Sequence, residues 1–310
     1  MSNVPCPIVL VGPEQDEHIQ AIARRIDDAG RDFLLLDPAA FPASLHISLG
    51  EDMEAIFIDG KLVNRPAAVY LRSLQQSPIA YGNTSEQRMQ ENWRRTLITF
   101  QERNTLLTAI MFRWEQLGVP VYNAFSVQQH ITKPLQLSLL QQAGLPVPRT
   151  LWTNNPDEVL RFAKLGPAIY KPVTGGASTR ELTEADLAPE RLSQLAISPV
   201  TFQELLPGDD IRVFLLDGKI IARYKIVTDA IDFRQNEIAI NNIDLPDQVE
   251  AQCVRACQVI GLRFTGMDLK YDAEGEAKIL ELNASPMFLG FDAMAGTDIA
   301  GDLVAALLTH

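Results

Sequence analysis

Apolar and polar positions alternate between two periods along the first third of the chain. CPIVLVG (6–12) is a short apolar run of strand type, and EQDEHIQAIARRIDDAG repeats apolar residues at helical spacing up to Gly30. DFLLLD, EAIFIDG and AAVYLRS then read as three further strands. Strand–helix–strand order predicts a parallel α/β unit. A long helical pattern runs from about Ser85 to Leu117 and stops at Gly118 and Pro120, and VPVYNA follows as a strand. A boundary near Phe125 closes a first domain, 1–125.

From Ser126 a helical pattern leads into QQAGLPVPRT, where Gly144 and two prolines end it. LWT is a short strand, PDEVLRFAKLG a helix opening at Pro156, PAIYKPV a strand and VTGGAST a loop of small residues. This gives a second region, 126–198. After Pro199 strands dominate: VTFQELL, DIRVFLLDG and KIIARYKIV, then a helix over 247–260, a hairpin and a last helix from Thr297. That third region, 199–310, reads as α+β, so the chain as a whole is α/β with an α+β C-terminal part. There is no internal repeat and no low-complexity linker.

FTGMDLKYDAEGEAKILELN (264–283) carries the most information. Folded about a turn at Ala273–Glu276, with Asp272 opposite Ala277, it sets Asp268 against Glu281. One face then holds Met267, Leu269, Tyr271, Leu280 and Leu282; the other holds Asp268, Lys270, Ile279, Glu281 and Asn283. Opposed carboxylates about 5 Å apart repel unless a cation joins them. Two carboxylates and an amide oxygen are hard ligands suited to Mg²⁺. A solvated acidic face with Lys270 neutralising one acid is the other reading.

Several cations stand alone in apolar surroundings. Lys171 lies in PAIYKPV, just ahead of Thr174-Gly175-Gly176-Ala177-Ser178-Thr179, whose small residues would let backbone N–H groups approach a phosphate. A hairpin turn with an edge lysine explains the same residues. Lys133 precedes Pro134 at a helix start. Arg212 and Arg223 interrupt strand runs, and Arg234 and Asn236 sit in the polar connector DFRQN. Cys253 and Cys257 share a helical stripe with Val249, Ala256 and Ile260, which predicts core packing rather than metal or redox chemistry. None of the four histidines has a metal-ligand neighbour at useful spacing. There is no Gly-x-Ser-x-Gly elbow, and GPEQDEH after the first strand is not a dinucleotide fingerprint.

A net charge of −12 argues against nucleic-acid and membrane-surface partners. Three cysteines do not suggest a disulfide framework. MSNVPCPIVLVG has no basic flank, so a signal peptide is not expected and a cytoplasmic location is.

The order Lys133, Lys171 with its glycine loop, FQELLPGDDIR, DFRQN, Asp268 and LELNASP resembles the ATP-grasp superfamily, in particular its RimK-type amino-acid ligases. GDDIRVFLLDGKIIA, DFRQN and GFDAMAGTDIA are similar to that branch, and the resemblance runs from about Asn123 to the C-terminus. AGLPVPRTLWTNNPDEVLRFA and the AAVYLRS strand also look like the related ATP-grasp maturases of ribosomal peptides.

The resemblance implies an ATP-grasp fold: a Rossmann-like pre-ATP-grasp domain (1–125), a central lid (126–198) and a C-terminal subdomain with the metal site (199–310). It implies a carboxylate–amine ligase that makes an amide through an acyl phosphate. The alternatives are a peptide maturase forming ester or amide crosslinks, a small-molecule kinase and a non-catalytic nucleotide-binding protein. Lys133 and Lys171 would contact ATP phosphates. Glu204, Leu205 and Leu206 would line the adenine, read by backbone groups at Glu204 and Leu206, and Asp210 would bind the ribose. Arg212, Arg234 and Asn236 would hold the triphosphate, Arg212 and Arg234 being the catalytic candidates. Asp268, Glu281 and Asn283 would bind two Mg²⁺ ions, with Mn²⁺ as an alternative ion. Partners would be small-molecule or peptide carboxylates and amines, with a homo-oligomer implied. Two departures stand out. Met287 replaces the glycine that follows Asn-Ala-Ser-Pro in the ligase branch, and Arg72-Ser73 replaces the paired arginines of the maturases, which weighs against a leader-peptide substrate.

Overall fold

The computed structural model describes residues 6–51, 54–74, 86–174, 179–228 and 237–310, without the side chains of 86–91, 237 and 238. The chain forms two compact units. One comprises Met1–Gln129 with Ala284–Asp292 and Asp298–His310; the other comprises His130–Asn283 with Ala293–Thr297.

The first unit contains β1 (Ile8–Val11), α1 (Glu17–Asp28), β2 (Phe33–Leu36), β3 (Ile47–Leu49), β4 (Ile56–Ile58), β5 (Lys61–Leu62), β6 (Val69–Leu71), α2 (Glu86–Gln116), β7 (Val121–Tyr122) and α3 (Phe125–His130). A parallel sheet in the order β2-β1-β6-β7 forms its centre. β1 is buried along its whole length, as expected of a strand covered on both faces. Asp16 caps α1 by accepting from the N–H groups of His18 (2.8 Å) and Ile19 (3.2 Å). The helix buries His18, Ile19, Ile22 and Ile26. Ile110, Met111 and Trp114 of α2 pack into a core with Val9, Val11, Val69 and Leu71. A kink at Asn92 divides α2.

β4 departs from expectation. It leaves the parallel sheet and forms a separate antiparallel one in the order β3-β4-β5. Asp59 (φ 46°) and Gly60 (φ 74°) build a two-residue turn, and such a turn joins antiparallel strands only.

The second unit runs through α4 (Lys133–Gln142), β8 (Thr150–Thr153), α5 (Pro156–Ala163), β9 (Ala168–Pro172), β10 (Arg180–Glu181), α6 (Pro189–Leu192), β11 (Val200–Glu204), β12 (Asp210–Leu216), β13 (Lys219–Thr228), β14 (Glu237–Asn242), α7 (Asp247–Ile260), β15 (Phe264–Tyr271) and β16 (Ala277–Asn283). It holds a four-stranded sheet, β10-β9-β11-β8, and a five-stranded one, β14-β13-β12-β15-β16, whose neighbouring strands pair antiparallel. Cys253 and Cys257 are buried in the predicted stripe of α7, and burial pushes both thiols up to about 12. They pack as small hydrophobes. α8 (Leu289–Ala295) and α9 (Ile299–Leu308) complete the chain. Among the described residues no helix is long and apolar enough to cross a membrane.

Candidate active site

The register of the five-stranded sheet brings the chemistry together. Arg212 of β12 lies opposite Asp268 of β15, and Asp268 lies opposite Glu281 of β16. Paired residues share a face, so the three side chains form a row across the sheet. Asp210 and Lys270 form the next pair, with Nζ 2.5 Å from Oδ2. Lys270 therefore neutralises Asp210, and Arg212 is the cation set against Asp268.

The expected alignment of Asp268 with Glu281 is present, but the faces around it differ. A bulge follows Asp268, so that Leu269 pairs with Ile279 and Tyr271, not Asp272, pairs with Ala277. Ile279 joins the apolar face with Leu282, both buried, and Leu280 becomes the half-buried extra residue. One inserted residue reverses the facing of everything beyond it. Without it, either Ile279 or the pair Glu281 and Asn283 would face the wrong way.

Asp268 is buried and its Oδ1 lies 3.1 Å from Arg212 Nη1. That approach is an ion contact without hydrogen-bond alignment, because Oδ1 accepts no hydrogen bond. Asn283 Nδ2 donates to Oδ2 across 3.4 Å. Lys133, at the start of α4, donates to Glu281 Oε2. One turn on, the Gln136 carboxamide bonds the backbone of Leu282 twice, donating to its carbonyl (2.9 Å) and accepting from its N–H (2.8 Å). Helical spacing thus lets one face of α4 hold both the edge of β16 and its carboxylate. In the four-stranded sheet, Lys171 donates to Gln203 (2.9 Å), and Gln203 donates to Thr150 (2.9 Å).

Burial pushes the Asp268 carboxyl up to about 6; Arg212 and Lys133 oppose that push, and Glu281 and Asp210 add to it. Burial also raises Glu281, but Lys133 foremost, then Asn283 and Lys171, outweigh it and leave the carboxyl below its usual value. Two neighbouring acids are thereby driven apart in acidity.

Asp268 binds its proton more tightly folded than unfolded. Its contribution to stability is therefore complete below about pH 4 and lost as pH rises through about 6. The loss is on the order of 3 kcal/mol. Urea unfolding of wild type and Asp268→Asn between pH 4 and 7 is expected to show the difference between them shifting in favour of the variant as pH rises. Parallel curves would contradict it.

Beside the charged row, a cleft of about 440 Å³ is lined by Leu205, Leu206, Pro207, Asp210, Lys225 and Lys270, among others. The Glu204 side chain is held away from ligand duty by Arg149, accepting from its N–H (2.9 Å) and its Nε (2.8 Å). The Leu205 N–H donates to Pro167 O (3.0 Å). Gly208 donates to Tyr271 O (3.0 Å), and a Cβ on it would meet Tyr271 Cβ and O at 2.6 Å. Gly208→Ala is expected to destabilise the protein by about 1–3 kcal/mol in urea titration, because Tyr271 must shift to admit the added methyl group.

The donor set suits a hard divalent cation: two carboxylates and an amide oxygen, with one buried carboxylate oxygen free of hydrogen bonds. Asp268, Glu281 and Asn283 could hold such an ion, and phosphate oxygens and water would complete its shell. Among the described residues no three acidic, histidine or cysteine side chains form a metal group by themselves. Arg234, Asn236 and residues 175–178 of the glycine loop lie outside the described residues. Gln203 and Gln136 were missed by sequence reasoning. A glutamine inside an apolar strand was a signal for the first; the second shows only through a partner 146 positions away.

The profile of the RimK-like ATP-grasp domain matches residues 132–307, more than half of the chain. A curated relative, the probable alpha-L-glutamate ligase of Thioalkalivibrio sulfidiphilus, is 28% identical over 212 residues, covering 64% of this chain and 70% of its own. Among solved structures, the ATP-grasp ligase PsnB complexed with a phosphomimetic variant of its minimal precursor, Mg and ADP is 51% identical, with a TM-score of 0.92 and 97% of each chain covered. The macrocyclase MdnC from Microcystis aeruginosa MRC, bound with its precursor peptide MdnA, shares the fold at 20% identity, with a TM-score of 0.82 over 98% of this chain and all of its own. On the strength of that domain match and the full-length likeness to a ligase at half identity, the chain belongs to the RimK-like ATP-grasp family and is an ATP-dependent ligase.

Proposed function

We propose that this ligase joins a side-chain carboxylate of a precursor peptide to an amine or hydroxyl of that peptide, with ATP as phosphoryl donor and Mg²⁺ as cofactor. One observation carries the reading: the likeness to PsnB extends over nearly the whole of both chains, and that structure holds a precursor, Mg and ADP. Against this, the Arg72-Ser73 departure from the maturase pattern weighs little.

The peptide carboxylate attacks the γ-phosphate of ATP, giving an acyl phosphate and ADP; the acceptor then displaces phosphate. Such transfer needs positioned positive charge and no protein nucleophile. Arg212, with Arg234, stabilises charge on the transferring phosphoryl group. Lys133 and Lys171 meet the phosphates, Asn236 the triphosphate, Asp210 the ribose, and Glu204 to Leu206 the base. Asp268, Glu281 and Asn283 hold the metal, which when bound neutralises charge on the phosphate oxygens. Residues 126–198 act as a lid, since an acyl phosphate must be kept from water.

Glutamate addition is the second reading, favoured by the curated relatives. ADP release separates the two. The purified protein is given Mg-ATP with either a peptide rich in Glu, Asp, Thr, Ser and Lys or free glutamate with acceptor. Release with the peptide, and a product lighter by one water per bond, is expected. Release with free glutamate alone would replace the peptide reading by the glutamate one.

A further inference from the structure

In the parallel sheet of the first unit, the chain leaves β1 for β2 on one side and returns in β6 on the other. That reversal is a topological switch point, and doubly wound sheets bind ligands there, outside the carboxyl ends of the strands. Here those ends are Gly12, after β1, and Arg72, after β6. Gly12 permits their close approach: a Cβ on it would lie 3.2 Å from Arg72 Cβ and 3.0 Å from Ile19 Cγ1.

The crevice is filled by the chain's own segment 285–288. Arg72 Nη1 donates to the Ser285 carbonyl (2.8 Å), the Ser285 hydroxyl oxygen (2.8 Å) and the Pro286 carbonyl (3.1 Å). Ser285 Oγ returns a bond to Arg72 O (2.7 Å). Arg72 Nε is anchored by Asp16 Oδ2 at 3.1 Å. The Phe288 N–H donates to His18 Nε2 (3.0 Å), and the Phe288 ring, fully buried, meets the imidazole edge-on at 4.6 Å. His18 Nδ1 lies 3.5 Å from both Asp16 Oδ1 and Arg72 Nη2. Burial raises the Asp16 carboxyl, yet His18 and Arg72 outweigh it and hold it well below the ordinary range. Three polar residues are thus committed to one short segment.

That segment begins directly after Asn283. Covalent continuity keeps the Ser285 Cα within about 7 Å of the Asn283 Cα, whatever else moves. The Asn283 carbonyl is held by Thr265 Oγ1 (2.9 Å) and the Ala284 carbonyl by Asn123 Nδ2. We propose that Asp16, His18 and Arg72 are positioning residues for the ligase reaction: the switch point, instead of binding a separate ligand, grips segment 285–288 and so fixes the strand end that presents Glu281 and Asn283. The inference rests on the metal role given to those two residues under the proposed function. Residues that orient metal ligands from behind change metal affinity or activity about 10–100-fold when replaced.

The test uses the full chain and three variants: His18→Ala, His18→Gln and Arg72→Lys. Three quantities are read: hydrogen exchange of the Phe288 amide, Mn²⁺ affinity in the presence of ADP, and kcat and KM for peptide. His18→Ala is expected to speed the exchange, weaken Mn²⁺ about tenfold and lower kcat with little change in KM. His18→Gln keeps an acceptor for the Phe288 N–H and restores all three towards wild type. Arg72→Lys keeps the charge but loses the fork that joins segment 285–288, held through Nη1, to Asp16, held through Nε, so it behaves like His18→Ala; it also carries the test should His18→Ala not fold. Faster exchange with Mn²⁺ affinity and kcat within twofold of wild type would overturn the proposal. Loss of Mn²⁺ affinity in Asp268→Asn, measured alongside, tests the metal reading separately: wild-type affinity there would sink that reading and not this one alone.

Discussion

Asp268→Asn is expected to lower amide or ester formation by about 10³-fold or more, with nucleotide binding retained. Asp268 sits at the centre of the charged row, between Arg212 and Glu281, and its Oδ1 is the buried carboxylate oxygen that accepts no hydrogen bond. Asparagine matches its shape, so the substitution removes charge and little volume. About 4 kcal/mol of lost transition-state stabilisation corresponds to about 10³ in rate, within what a misheld cation forfeits. The cleft proposed for the nucleotide lies one pair further along the sheet, at Asp210 and Lys270, and should remain intact. ADP release and product mass are the readouts, with a thermal shift on Mg-ADP as the folding and binding control. A variant retaining a tenth of wild-type turnover would remove Asp268 from the reaction.

Arg212→Met should lose both rate and stability, for different reasons. On the role proposed for Arg212 at the transferring phosphoryl group, its removal lowers kcat by about 10²–10³-fold. Independently, it leaves a buried carboxylate without its nearest cation, which costs about 3 kcal/mol or more. Asp268 escapes part of that loss by taking a proton, which burial already favours near pH 6. The destabilisation should therefore be larger at pH 8 than at pH 6. In the double variant Arg212→Met/Asp268→Asn neither charge is left in the pair, so stability recovers while activity does not. Urea unfolding of the four proteins at both pH values gives the coupling directly. Equal instability of the single and double variants would show that the two side chains do not act as a pair.

Local patterns were legible where they depended on neighbours in sequence. The stripe of Val249, Cys253, Ala256, Cys257 and Ile260 lies buried on α7 over the predicted span. The opposition of Asp268 and Glu281 followed from alternation and a turn. What alternation could not reveal was the bulge, because Ile279, Leu280 and Leu282 are all apolar and either phase satisfies a hydrophobic count. The fate of EAIFIDG hinged on Asp59-Gly60, a turn signal that a reading in parallel strands passes over. The partners of His18 and Arg72 lie more than 200 positions downstream, so their hold on segment 285–288 left no local signal. Only the folded chain makes them neighbours. Arg234 and Asn236 stand as sequence expectations alone.

β16 is the outer strand of its sheet, and outer strands invite foreign backbone to join them. At Leu282 that invitation is already answered, since the Gln136 carboxamide takes both the N–H and the carbonyl as a neighbouring peptide group would. Ile279 is likewise spoken for by Pro146. This margin is therefore shut against extended chains: none can zip on beside the acidic residues, and two copies of the protein cannot fuse their sheets there.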